Sequence, residues 1–181
     1  MGKQFQEISE KHKSFIEKQK LFFVGTAAQS GKVNISPKGT DSLRVIDSNK
    51  VVWHNLTGSG NETAAHLLLN NRMTIMFCSF EKNPMIMRLY GQAKIFHPRD
   101  EEYHKHIDQF PQHHGSRQII VMDIEMLQTS CGFAVPLMDF QKERGTLDDW
   151  ALKKGRDGVE DYWKEKNTRS LDNFETKILG D

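Results

Sequence analysis

The sequence predicts an α+β fold that is mainly β: an antiparallel barrel with peripheral helices. Three observations carry this reading. Short runs of branched and aromatic residues recur along the first two-thirds of the chain, several joined by turns too short for a crossover helix. Helical periodicity is confined to a few segments, at the two ends and between strand pairs. The chain has 181 residues, 37% of them hydrophobic, enough for one domain with a full core but cramped for two. That domain is expected to have its core over about residues 20–130 and a C-terminal helical extension over about 140–181.

The elements follow in order. Residues 3–18 carry Phe5, Ile8, His12, Phe15 and Ile16 on one helical stripe, predicting an amphipathic surface helix. Residues 21–28 read as a strand, and Gln29-Ser-Gly-Lys32 turns the chain into a second strand over 33–36, making a hairpin. Residues 43–46 and 51–55 form another hairpin around Asp47-Ser-Asn-Lys50. A helix over 61–70 is opened by Ser59-Gly-Asn-Glu62 in the spacing of a capping box. Residues 72–80 and 86–96 are strands separated by Pro84, and a helix runs from Pro98 to about residue 107. Residues 110–117 read as a loop and 119–127, alternating and rich in branched residues, as a strand. Thr146-Leu-Asp-Asp149 is a second capping box, opening a helix that Gly155 ends; residues 159–166 are a last short helix. The count is six or seven strands.

Charge excludes some functions. Twenty-five basic against 24 acidic residues give a net charge of +1, with signs mixed and no basic stripe interleaved with aromatics, so no nucleic-acid partner is expected. No apolar run approaches a bilayer span and no apolar leader opens the chain, which predicts a cytoplasmic protein with no membrane partner. Cys78 and Cys131 cannot make a disulfide framework and are expected as thiols, Cys78 in the core and Cys131 more exposed. His104, His106, His113 and His114 lack zinc-site spacing, so no metal is predicted. Met73, Met76, Met85 and Met87 read as core or interface filler.

The chemistry concentrates in Asn34-Ile-Ser-Pro-Lys-Gly39 and Trp53-His-Asn-Leu-Thr-Gly-Ser-Gly-Asn-Glu-Thr-Ala-Ala-His66. A glycine-rich turn opening a helix leaves backbone N–H groups free to face an anion, and the helix dipole adds to their attraction. Lys38 adds formal charge, with Pro37 and Gly39 expected to fix its backbone. By itself the turn has a plainer reading, a helix capped by Asn61 or Ser59. It is also a near miss to the dinucleotide fingerprint, with Thr63 in place of the third glycine and Glu81 near the ribose-binding acid. The hairpins ahead of it argue against that Rossmann alternative.

Together these stretches resemble the pyridoxamine-phosphate-oxidase-like FMN-binding split barrels. The resemblance runs from Phe22 to about Pro98, through Val24-Gly-Thr-Ala27, Asn34-Ile-Ser-Pro-Lys-Gly39, Val52-Trp-His-Asn55, Gly58-Ser-Gly-Asn-Glu-Thr63, Asn70-Asn-Arg72 and Arg88-Leu-Tyr-Gly91. It implies a split β-barrel homodimer with FMN at the subunit interface. Ser36, Pro37 and Lys38 match the strand end bordering the flavin phosphate or ribityl chain, and Trp53, His54 and Asn55 the stretch along the ring system. Ser59 and Gly60 belong to the turn, and Asn61, Glu62 and Thr63 fall where the oxidases carry a Ser-Arg-Lys phosphate clamp. Both clamp cations are missing, which argues against pyridoxamine phosphate as substrate and leaves phosphate neutralisation to Lys38, with Arg44 or His66 as candidate helpers. Arg88 matches a strand that approaches the flavin from the other subunit, and Cys131 and Gly132 open a segment that is similar to one at the dimer interface.

The implied function is FMN binding, with flavin-dependent oxidoreductase activity on a small molecule. Its alternatives are a non-catalytic flavin- or haem-binding module of the same fold and the Rossmann-type nicotinamide enzyme. No residue declares itself an acid or base, and the substrate, the electron donor and the choice among FMN, FAD and a deazaflavin stay open at this level.

Overall fold

The computed structural model describes residues 2–180. Its strands are β1 (Lys3–Phe5), β2 (Phe22–Thr26), β3 (Asn34–Lys38), β4 (Leu43–Asp47), β5 (Lys50–Leu56), β6 (Arg72–Cys78), β7 (Ile86–Phe96) and β8 (Ser116–Ser130). Its helices are α1 (Glu10–Lys18), α2 (Glu62–Leu69), α3 (Glu101–Ile107) and α4 (Thr146–Lys166). Among the described residues no helix is long and apolar enough to cross a membrane.

The eight strands form one sheet in the order β3-β2-β6-β7-β8-β5-β4, with β1 added on β8. Every pairing is antiparallel. Both expected hairpins are present, β2 on β3 and β4 on β5. A dinucleotide-binding crossover needs neighbouring parallel strands, so this ladder excludes the Rossmann alternative.

Residues 3–18 are not one helix. Lys3–Phe5 is extended and pairs with residues 127–129 of β8, which raises the strand count above the expected six or seven. The helix starts only after Ser9, whose hydroxyl accepts from the His12 N–H while His12 Nδ1 accepts from the Ser9 N–H. His12 therefore serves in a capping box as well as on the apolar stripe. The two capping boxes read from sequence do not form, since Asn61 and Gly145 are the caps and neither makes a side-chain cap bond. Gly155 breaks α4 with φ 69°, a conformation that costs glycine little.

The long strands β7 and β8 alternate strictly enough to send Met87, Leu89, Ile120, Met122 and Leu127 into a common core with Ile75 and Phe77. Burying each such side chain contributes roughly 1.5–3 kcal/mol. A smaller cluster of Val52, Tyr103, Phe110 and Ile119 lies under α3. Strand β5 is buried on both sides between the two clusters, so it carries site residues on a rigid central element.

The β7–β8 register shifts between Tyr90 and Gly91, and a Cβ at Gly91 would overlap the Asp123 carbonyl oxygen. Only glycine fits this bulge without moving the neighbouring backbone. Gly91→Ala is expected to cost about 2–3 kcal/mol, seen as a lower urea midpoint at unchanged slope. A midpoint equal to that of the wild type would show that β8 yields freely here.

Candidate functional site

Alternation along β3 separates two surfaces. Asn34, Ser36 and Lys38 face a cleft of about 550 Å³, which Pro37 also borders, whereas Ile35 points away and is 69% exposed. The turn leaving β3 is held tightly. Thr40 and Asp41 have φ of 60° and 52°, so the left-handed positions fall on them and not on Gly39. Side-chain bonds stabilise this uncommon conformation: Thr40 and Ser42 hydroxyls donate to the Gly39 carbonyl, and Arg44 clamps the Asp41 carboxylate at 2.8 and 2.9 Å. Arg44 also donates to the Gln109 carbonyl and stacks 4.9 Å from Phe110. It is committed to the turn and does not line the cleft. His66 is likewise excluded, buried with Nδ1 3.1 Å from the Thr26 hydroxyl.

Lys38 lies half-buried with its ammonium 5.1 Å from the Trp53 ring centroid. Burial, then the charge of Arg117, lowers its pKa from 10.5 to about 8. The ammonium is thus destabilised by its surroundings, and a nearby anion would stabilise it and raise its pKa.

Opposite β3, Gly58, Ser59 and Gly60 lead into α2 and line the same cleft with Asn61, Glu62 and Thr63. Asn61 leaves the first-turn N–H groups uncapped by its side chain, as an anion-facing helix start requires. Glu62 is engaged by the chain itself. Its carboxylate accepts the Leu171 N–H at 3.0 and 3.1 Å.

Sequence reasoning missed Arg117, assigned there to the end of a loop. It is the second residue of β8, 3% exposed, and borders the cleft. Its guanidinium donates to the Gly60 carbonyl at 3.0 Å, to Asn167 Oδ1 at 2.7 Å and to Asn55 Oδ1 at 3.4 Å. All these acceptors are uncharged, and among the described residues no carboxylate forms an ion pair with it. Its Nε has no hydrogen-bond partner among the described residues. Burial pushes its pKa down to about 9, still well above neutrality, so the charge persists. The sequence signal was the tripeptide Ser116-Arg-Gln118, polar throughout yet leading into a core strand.

Trp53, His54 and Asn55 form the floor of the cleft, each 1–2% exposed. Trp53 packs edge-on to Phe22 in the main core. His54 is held from the other side, with Nε2 2.7 Å from the Ser116 hydroxyl, itself 2.8 Å from the Tyr103 hydroxyl. Burial first, then the charges of His113 and Arg44, lowers the His54 pKa to about 4, so the ring is neutral at pH 7. Three expected residues lie outside the cleft. Arg88 borders another, of about 490 Å³, with Phe23, Ile35, Met76 and Tyr90. Cys131 is exposed and Gly132 buried, in an irregular segment after β8. Thr40, Ser42, Lys166, Arg169, Ser170 and Leu171 complete the cleft and were not foreseen.

The comparisons with known proteins agree with this architecture. The family model described as pyridoxamine 5'-phosphate oxidase matches residues 8–131. The chain is 33% identical to the pyridoxamine 5'-phosphate oxidase family protein ustO of Aspergillus flavus over 188 residues, covering 93% of this chain and 75% of that one. Among solved structures, a HupZ variant from Group A Streptococcus superposes with a TM-score of 0.55 at 20% identity, over 68% of this chain and 99% of the other. A candidate pyridoxamine 5'-phosphate oxidase from Lactobacillus delbrueckii gives a TM-score of 0.56 at 15% identity, over 68% and 94%. The cleft is thus built on an all-antiparallel sheet rather than on a nucleotide-binding α/β one. The chain is a member of the pyridoxamine 5'-phosphate oxidase family.

The lowered Lys38 pKa has a measurable consequence. Below about pH 8 the ammonium is present to meet an anion, and above it the free protein must take up a proton on binding, so affinity falls as pH rises. Sulfate, whose charge is constant over pH 7–9.5, is expected to bind progressively more weakly above pH 8 in a calorimetric titration. Lys38→Met should flatten that dependence; an unchanged slope would show that another group governs it.

Proposed function

We propose that this chain binds FMN and functions as a homodimeric, flavin-dependent oxidoreductase on a small molecule, within a split-barrel fold. The observation that carries the reading is the buried Arg117 guanidinium without a carboxylate partner. It stands beside Lys38 and behind a glycine turn whose helix N–H groups lack a side-chain cap. A buried unpaired charge costs several kcal/mol, which an anionic ligand group would offset. The residues therefore suit a phosphate, and a cleft of about 550 Å³ lies within the usual range for a cofactor site. Membership of the pyridoxamine 5'-phosphate oxidase family makes a flavin phosphate the natural candidate.

Bound flavin would supply hydride or electron transfer. The chain's own contribution is to hold the phosphate with Lys38, Arg117 and the start of α2, and to keep His54 neutral by burial and oriented by its bond to Ser116. The buried floor of Trp53, His54 and Asn55 excludes water from one side. Lys38→Ala should weaken FMN binding by about 1.5–3 kcal/mol while changing riboflavin affinity little, read by quenching of flavin fluorescence. Equal affinity of the wild type for FMN and riboflavin would contradict the phosphate assignment.

The homodimer rests on a separate surface. Val33 and Ile35 are 70% and 69% exposed beside the cleft that holds Arg88, and Phe133 and Leu137 are 82% and 75% exposed after β8. Apolar side chains so concentrated are better accounted for by a partner than by water. Permanent interfaces of this kind bury about 2,000 Å² or more. Light scattering at micromolar concentration is expected to give twice the chain mass, and Ile35→Asp to shift it toward the monomer; a wild-type monomer loaded with flavin would overturn this part of the reading.

A further inference from the structure

The C-terminal segment from the last turn of α4 onward lies outside the family-matched residues 8–131, yet it borders the cleft through Lys166, Arg169, Ser170 and Leu171. It is a strap laid across the glycine turn. Trp163 Nε1 donates to the Thr57 hydroxyl at 2.9 Å, and Asn167 Nδ2 donates to the Gly58 carbonyl at 3.1 Å while its Oδ1 accepts from Arg117. Further along, the Leu171 N–H is held by Glu62 and the Asp172 carboxylate by the backbone and ammonium of Lys32. The strap is internally braced by an Arg169–Glu175 bridge and a Thr176 hydroxyl bond to the Asn167 carbonyl. Arg99 grips its far end through the Lys177 and Ile178 carbonyls.

These contacts fall on the anion-facing end of the cleft, where a ligand chain running past its first phosphate would have to leave. Residue by residue, Thr57, Gly58, Asn61 and Glu62 are already engaged by the strap. We propose that the strap is a specificity element: it closes the phosphate end, so that the cleft accepts a flavin ending in a phosphate monoester and rejects one extended through a pyrophosphate to a second nucleotide. This rests on the flavin reading above and adds the reason for choosing FMN over FAD. Discrimination arises because the longer ligand must first break the strap's bonds, whereas the monoester leaves them intact. Glu62, at a position where the resemblance suggested a phosphate clamp, serves instead to hold the strap.

The test compares FMN, FAD and riboflavin affinities of the full chain with those of Asp172→Ala/Arg99→Ala. That variant loosens the strap at two points away from the cleft and leaves Lys38, Arg117 and Asn167 untouched. Wild type is expected to bind FMN at least about tenfold more tightly than FAD. In the double variant FAD should gain about tenfold while FMN stays within about threefold, as hydrogen exchange across residues 167–178 quickens. Leu171→Pro, which removes the N–H that Glu62 accepts, should narrow the same ratio and guards against a double variant whose strap stays closed. Equal FMN and FAD affinity in the wild type, or a ratio unmoved in both variants, would overturn the strap's role while leaving flavin binding intact. Binding of none of the three flavins would instead overturn the cofactor reading and the inference with it.

Discussion

Arg117 carries a charge into the sheet and finds only amide and carbonyl oxygens to receive it. Hydrogen bonds to Gly60, Asn55 and Asn167 solvate the guanidinium in part, but none cancels its charge, and Nε is left over. The residue lies near the start of β8, where β5 pairs Ser116 and Gln118 on either side of it, and its side chain is held away from water at 3% exposure. Burial loosens the proton of Lys38, and the positive potential of Arg117 adds to that effect. Two cations that repel each other are thereby held at one end of a cleft beside a helix N-terminus. Such an arrangement favours binding of an anion, the basis of the proposed phosphate site.

The rest of the fold serves that placement. A two-residue period on β3 brings Ser36 and Lys38 inward and sends Ile35 outward, so one strand contributes both to the cleft and to an exposed apolar surface. Strand β5 supplies the floor because it is buried from both sides. The two glycines of the Gly58–Gly60 turn let backbone reach the cleft, and the C-terminal strap then engages the Gly58 carbonyl and the start of α2. Two cations, Arg117 from β8 and Lys38 from β3, come together at the cleft.

The sequence made much of this legible. Period-two runs and short turns marked the hairpins, and Gly155 marked the break in α4. The pairing of Lys38 with the glycine turn located the cleft. Other features were hidden for physical reasons. Lys3–Phe5 lacks strand-like composition and is extended only because β8 offers a free edge. Ser59 and Glu62 match a capping box, but Glu62 finds a better partner over a hundred residues away at Leu171, and local spacing cannot register that contact. Arg117 was obscured because a buried arginine looks like a surface one until its neighbours are known. The αL positions at Thr40 and Asp41 were masked by the adjacent Gly39, the residue composition would choose.

A crystal structure of the protein with FMN tests the central claim most directly. The account predicts the flavin phosphate at the start of α2, with an oxygen about 2.7–2.9 Å from Lys38 Nζ, the length of a charge-assisted hydrogen bond, and the Arg117 guanidinium behind the glycine turn. A phosphate lodged elsewhere, or pointing to solvent with Lys38 and Arg117 unchanged in their surroundings, would contradict it.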